Sequence, residues 1–299
     1  MKYLIIKIVI LFSFFSLSAF SAMSEKINKT LEVPLTNQIE IYNERGSISV
    51  EGWDKEKVTV KGKLDTLTEK VIFSLNDNKV ILKIMLPDRK ESSRSGKGSN
   101  LTLFIPKKMK IKFSGIATNL KVSNIDSEQQ INLMTGNVNL SGNSKKITIN
   151  NVSGDVILGD VSGEVTILTV SGKVKVRGSM KKIFVKSVSS NIDVYSKSLL
   201  DGQISTVSGN LKLDSRLEKN GKINLKTISG KVSYSVYKNT NAKFHIETGP
   251  KGKISNSYNE KKVKRTFIDA LKSDFVVGNA EGLIALYTVN GKIYITKKR

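Results

Sequence analysis

The chain has no cysteine, one histidine, one tryptophan and four prolines in 299 residues. Without cysteine there is no disulfide, no thiol nucleophile, no thiolate metal site and no lipidated N-terminal cysteine. A single histidine, His245, leaves zinc or copper without a ligand set, so neither a cofactor nor a metal is expected. Acidic residues are outnumbered, 26 against 49 lysines and arginines, for a net charge of +23. Aromatic residues are only 7% of the chain, and no basic stripe interleaved with them suggests nucleic acid. Long apolar runs occur only at the start. There Lys2 and Lys7 precede and interrupt the apolar stretch Leu4–Phe20, which ends in the small-x-small site Ala19-Phe20-Ser21. Residues 1–21 therefore read as a secretory signal peptide, too short a run to span a membrane comfortably. Its removal leaves about 278 residues carrying +21. The expected location is the periplasm or the cell exterior, with no transmembrane span.

What is present is a repeat. Residues 152–178 contain VSGDVILGD, VSGEVTILT and VSGKVKVRG, three nine-residue units in register. Apolar residues fall at positions 1, 5 and 7, and the 5/7 alternation is strand periodicity. Glycine at position 3 suits a corner with positive φ, and serine at position 2 can bond the turning backbone. So short a unit cannot bury its own apolar face and must stack on copies of itself. The unit returns around Met134 and at Val188, Val207, Ile228 and Val289, with a second alternating run between copies, such as KITIN (146–150) and KINLK (222–226). The period is thus about two units, roughly 18–21 residues, and seven or so coils between Phe113 and Tyr237 would make a rod of roughly 35 Å. The predicted fold is all-β, a single-domain β-solenoid with glycine corners. Position 1 is expected to face inward in every copy, burying Val152, Val161, Val170, Val188, Val207 and Ile228. Ser190 replaces one corner glycine, so that corner either avoids positive φ or is strained.

Turn residues recur every eight to ten positions along the rest of the chain. Strands are predicted at 31–35, 38–42, 47–50 and 58–60, and a hairpin at 71–86 around Asn76-Asp77-Asn78. Residues 87–100 read as a polar loop. Trp53 reads as a core or end-cap aromatic. A short helix is predicted over 266–272, and the last 26 residues return to the solenoid unit as closing coils. The organisation expected is a signal peptide (1–21), an N-terminal β region capping the solenoid (22–112) and the solenoid with its closing coils (113–299).

Three stretches carry a family resemblance: GSISVEGWD near the N-terminus, IPKKMKI followed by serial VSGxVxV units, and the closing FVVGNAEGLIALYTVNGKIYI. Together, over roughly residues 38–297, they resemble the toast-rack β-strand-repeat family of bacterial adhesin-like proteins, long catalogued as a domain of unknown function. The resemblance implies a right-handed β-solenoid in the bacterial envelope. It also implies an association, in some relatives, with membrane stress-sensing systems. It brings no catalytic residues. The chain departs from the pattern at Gly278-Asn279-Ala280 and at Thr288-Val289-Asn290-Gly291, both corners.

Chemistry has few candidates. His245 lies in the strand-like KFHIE, and no GxSxG elbow accompanies it. Asp155, Asp160 and Glu164 fall on successive corners or outer positions and are the carboxylates to consider, since β-helical folds host polysaccharide-active enzymes. The corners are short, however, and no insertion builds cleft walls. A calcium β-roll, whose repeat is also nine residues, is excluded: Lys173 takes the acidic position in the third copy and the second glycine is missing. Charge is the remaining signal. Lys261, Lys262, Lys264 and Arg265, with Lys173, Lys175 and Arg177, are the candidate contacts for an anionic envelope polymer or lipid headgroup. The function expected is a non-enzymatic envelope scaffold, adhesive or sensory, with a polysaccharide-active enzyme as the alternative.

Overall fold

The computed structural model describes residues 25–33, 38–87, 96–258, 263–266 and 269–298, and the expected signal peptide and Lys261 and Lys262 lie outside them. Every regular element among these residues is a β-strand. Parallel pairing runs through successive coils as Leu120↔Val138↔Val156↔Val174↔Ile192↔Leu211↔Val232, an advance of 18, 18, 18, 18, 19 and 21 residues. The chain is therefore a β-solenoid of the expected period. Each coil has one longer strand such as Lys146–Ser153, a glycine corner, a shorter stretch such as Val156–Leu158, and a second, less regular corner. Inward residues are Val, Ile or Leu on both faces, for example Ile147, Ile149, Val165, Ile167, Ile183 and Val185 opposite Val156, Leu158, Val174, Val176, Ile192 and Val194, all at most 2% exposed.

One expectation about this core is wrong. Val161 is buried, but Val152, Val170, Val188, Val207 and Ile228 are 44–50% exposed. The inward series does not stop at position 7. It continues to position 9, where Asn151, Thr169, Ser187, Thr206 and Thr227 are buried. Alternation then turns the next residue, position 1, outward. Polar residues take the inward place because the adjoining corner presents main-chain carbonyls that need donors. Asn151 Nδ2 donates to the carbonyl oxygens of Gly154 (3.1 Å) and Gly136 (3.3 Å), and Thr206 Oγ1 to those of Ser208 (3.1 Å) and Val188 (3.3 Å). Val161 belongs to the other corner, where the ladder shifts register between Leu158 and Val161, and there the same VSG triplet points its valine inward.

The first corners are stacked main chain. At Gly172, φ is +113°, and a Cβ would lie 2.2 Å from the carbonyl oxygen of Gly154 in the coil before. Ser190 escapes this constraint because its φ is not positive, and its hydroxyl is 2.6 Å from that of Ser187. A second ladder runs just past the glycines. Asn137 Oδ1 accepts from the Asp155 N–H and Asp155 Oδ1 from the Lys173 N–H, at 2.9 and 2.8 Å. Of the departures near the C-terminus, Ala280 takes a left-handed φ of +60°, like Gly278 at +61°.

Both ends of the stack are closed out of chain order. Strand Gln38–Trp53 pairs in parallel with Lys110–Ser123 on one side and with Lys79–Met85 and Ser99–Pro106 on the other. Beyond these, Lys70–Asn76 pairs antiparallel with Lys79–Met85 and Lys57–Lys63 with Ser99–Pro106, and the predicted hairpin turns at Asp77 and Asn78 with φ of +42° and +67°. Arg45 forms an ion pair through two nitrogens with Asp65, whose side chain is fully buried and also accepts from the N–H groups of Leu67 (2.8 Å) and Gly98 (3.0 Å). Trp53 stacks on Phe104 at 5.4 Å and donates to the Lys57 carbonyl.

At the other end Gly282–Asn290 and Lys292–Lys297 insert between the coil ending at Val236 and the strands Ala242–Thr248 and Lys253–Asn256. The closing segment is thus the penultimate coil. The helix predicted over 266–272, part of which lies outside the described residues, is not found among those described: Lys264–Arg265 pairs antiparallel with Leu271–Val277, and the Asp269 N–H bonds the Thr266 carbonyl. The edge strand Ala242–Thr248 competes successfully for that segment, because it needs an antiparallel cover over its unpaired main chain.

Candidate functional surfaces

Placing position 1 outside creates an apolar ladder. In register along the longer face stand Ile116, Met134, Val152, Val170, Val188, Val207, Ile228 and Val289, one per coil. The six from Met134 to Ile228 are 44–56% exposed, and at ~4.8 Å per rung the full column runs about 34 Å. A shallow depression of about 580 Å³ follows its first half, bounded by Tyr42, Ile116, Met134, Val152, Leu168, Val170 and Val188. A contiguous exposed apolar column of this length is a candidate contact surface. The signal for it was present in the sequence: position 9 is polar in five copies, two residues after the last core residue.

On the opposite side of the coil the second corners form a groove of about 570 Å³ lined by Asp160, Arg177, Asp193, Tyr195, Lys212 and Asp214 among others. The short corners did not predict it. It arises from the register shifts after Leu158 and Gly178, which set the corners back from the strands. Its charges alternate along the stack. Asp193 is flanked in register by Lys175 and Lys212, and Tyr195 separates Arg177 from Asp214. Asp214 is engaged by the Tyr237 hydroxyl at 2.6 Å and by Lys298.

Of the three carboxylates singled out in the sequence, only Asp160 lines this groove, on a corner with φ of +54°. Asp155 is committed to the Lys173 N–H, and Glu164 pairs with Lys182 at 2.9 Å, a contact that holds its carboxyl below the ordinary value. His245 is half-buried, with Nδ1 2.7 Å from Asp274 and Nε2 3.5 Å from Glu247. Both ring nitrogens face carboxylates, which leaves none for a serine hydroxyl. Burial pushes the Asp274 carboxyl up, but His245 and Lys272 outweigh it and hold the group below its usual range. Among the described residues no cluster of three or more His, Asp or Glu could hold a metal.

The basic candidates do not converge. Lys173, Lys175 and Arg177 are exposed on one stretch of a middle coil, alternating with buried Val174 and Val176. Lys264 and Arg265 are exposed on the antiparallel cover at the C-terminal end, where Arg265 lies 3.6 Å from Asp269. Among the described residues there is no helix long and apolar enough to cross a membrane.

Comparison with known proteins finds a matching family and similar solved structures. A model of the family described as Toastrack DUF4097 matches residues 36–295. A candidate adhesin from Bacteroides fragilis is 13% identical over 92% of this chain and 98% of its own, with a TM-score of 0.44. A candidate adhesin from Parabacteroides distasonis is 12% identical over 93% and 98%, with a TM-score of 0.42. A candidate lipid-binding protein from the same species is 11% identical over 92% and 97%, with a TM-score of 0.29. No curated protein matches.

Proposed function

The chain belongs to the Toastrack DUF4097 family, and we propose that within it this protein is a non-enzymatic, adhesin-like scaffold of the bacterial envelope that contacts anionic polymers through charge. The observation that carries the reading is the placement of basic side chains: Lys173, Lys175 and Arg177 are all exposed on one stretch of a middle coil, alternating with the core residues Val174 and Val176. Among the described residues no carboxylate forms an ion pair with these three side chains, although Asp193 stands in register beside Lys175. Lys264 and Arg265 extend the same chemistry to the C-terminal end, and Lys261 and Lys262 adjoin them in sequence. Point charges on exposed lysines offer no bidentate geometry, so binding is expected to be unselective among polyanions and to fade with salt as the Debye length shrinks from ~10 Å at 0.1 M to ~3 Å at 1 M. The test is co-sedimentation with peptidoglycan and retention on a soluble polyanion at low and high salt. Wild type is compared with Lys173→Gln/Lys175→Gln/Arg177→Gln and with Lys261→Gln/Lys262→Gln/Lys264→Gln/Arg265→Gln. Salt-sensitive binding that both variants weaken supports the reading. No binding at low salt reduces the charge to a solubility device.

The groove favours a second reading, a polysaccharide-active enzyme, because three aspartates and an arginine line it. Against this, Asp214 is already tied to Tyr237 and Lys298. Release of reducing ends from envelope polysaccharide, abolished by Asp160→Asn, would establish the enzyme reading in place of the scaffold.

A further inference from the structure

The apolar ladder is the largest feature that a charge-only scaffold leaves unused, and its surroundings have a definite chemistry. Two columns border it. On the strand side, two residues before each rung, stand Tyr42, Ser114, Asn132, Asn150, Leu168, Lys186, Ser205, Lys226 and Tyr287, paired in sequence along the sheet. On the corner side, three residues after each rung, the column runs Asn119, Asn137, Asp155, Lys173, Asn191, Asn210, Lys231 and Lys292. From the rung of Ile116 to that of Val289 these borders hold five exposed lysines. They hold one carboxylate, Asp155, which is committed to a main-chain N–H. The ladder is one side chain wide except beside Leu168, and between the terminal tyrosines its other neighbours are small polar residues or lysines. A protein partner with a broad apolar core finds too little surface here, and a second copy of the chain would bring lysine columns against each other.

A surface that is apolar at its crest, cationic on both shoulders and tyrosine-edged at its ends matches the interface of an anionic bilayer. We propose that this face lies flat on an anionic lipid membrane, the Met134–Ile228 crest entering the headgroup–acyl boundary while Lys186, Lys226, Lys173, Lys231 and Lys292 meet lipid phosphates. The axis of the rod then lies parallel to the membrane, and the Asp160–Asp214 groove faces away from it. This contact shares Lys173 with the polymer contact proposed above and differs from it in its apolar part, which persists where salt screens charge.

The experiment is flotation of the full mature chain with phosphatidylcholine vesicles, with and without phosphatidylglycerol, at 0.1 and 1 M salt. Wild type is compared with Val152→Thr/Val170→Thr/Val188→Thr/Val207→Thr, which keeps β-branched side chains on exposed strand positions. Wild type is expected to float with phosphatidylglycerol vesicles and to retain part of that binding at high salt. The variant should lose roughly tenfold or more in partitioning, with its melting temperature and its retention on a soluble polyanion unchanged. If the variant melts early, the pair Val152→Thr/Val188→Thr is read instead, with the same expectation at smaller amplitude. Equal flotation of a folded variant and wild type overturns the proposal. So does failure of wild type to float, whatever it does with soluble polyanions, and so does a wild-type dimer that the substitutions dissociate, which would mean a second copy covers the ladder.

Discussion

Replacing Gly172 by alanine tests the corner stacking with a single carbon atom. At φ of +113° an L-residue sits in a sparsely populated region, which costs about 1–3 kcal/mol. The new Cβ would lie 2.2 Å from the Gly154 carbonyl oxygen and 2.6 Å from its carbon. Both are backbone atoms of the preceding coil, so relief requires the two coils to separate, at a further cost of about 1–3 kcal/mol. Alanine also restricts the unfolded chain, which offsets about 0.4–1 kcal/mol. The net expectation is a loss on the order of 3 kcal/mol, a lowering of the melting temperature by roughly 6–12 °C for a domain of this size. The assay is thermal and urea unfolding followed by circular dichroism. Ser190→Gly serves as the internal comparison, because the Ser190 corner does not use positive φ, and it should cost no more than about 1 kcal/mol for its hydrogen bond to Ser187. Should Gly172→Ala melt within about 2 °C of wild type, the glycine ladder is not what sets the spacing between coils.

Exposure at the ladder predicts that Val170→Asp shifts stability by no more than about 0.5–1 kcal/mol, whereas Ile167→Asp, three residues away and fully buried, abolishes folding or costs on the order of 3 kcal/mol or more; paired urea titrations decide it. Thr206→Val removes the donor to the Ser208 and Val188 carbonyls and should cost about 1 kcal/mol in the same titration. Asp65→Asn should destabilise by about 3 kcal/mol by leaving Arg45 without its partner in a largely buried site. Burial pushes the Asp65 carboxyl up, but Arg45 and the N–H groups of Leu67 and Gly98 hold it below its ordinary value. Its contribution is therefore complete above the unfolded value near ~3.9 and is lost as pH falls through the lower folded one, so the melting-temperature gap between wild type and Asp65→Asn should narrow from pH 7 to pH 2.

The fold was legible where local chemistry repeats. Alternation at Val165/Ile167 or Ile223/Leu225, glycine every second unit and spacings of 18–21 residues are consequences of strand geometry that any stacked copy must obey. Much less of the candidate surface was legible. Val152 and Val161 sit in identical VSG triplets, yet one is half exposed and the other buried. The clue to their difference was the residue before the triplet, Asn151 against Asp160, since an inward asparagine can donate to the corner and an aspartate in left-handed conformation cannot. The groove around Asp160 gathers residues up to 71 positions apart in the chain, from Asn143 to Asp214, and nothing in the spacing of Asp160, Arg177, Asp193 and Asp214 separates a groove from four solvated side chains.

Taken alone, the sequence determined an all-β chain, the length of its coil, the glycine corners and the surplus of positive charge, because these follow from the conformational limits of single residues and from counting. Only the tertiary structure decided which side of the sheet each valine occupies. A strand propagates its phase faithfully, but a corner resets it, and the reset depends on hydrogen bonds to the coil above and below. The same reason put Gly282–Lys297 inside Ala242–Asn256: its pattern suits any parallel neighbour, and only the assembled stack, with one edge still unpaired at Val232–Val236, selects among them.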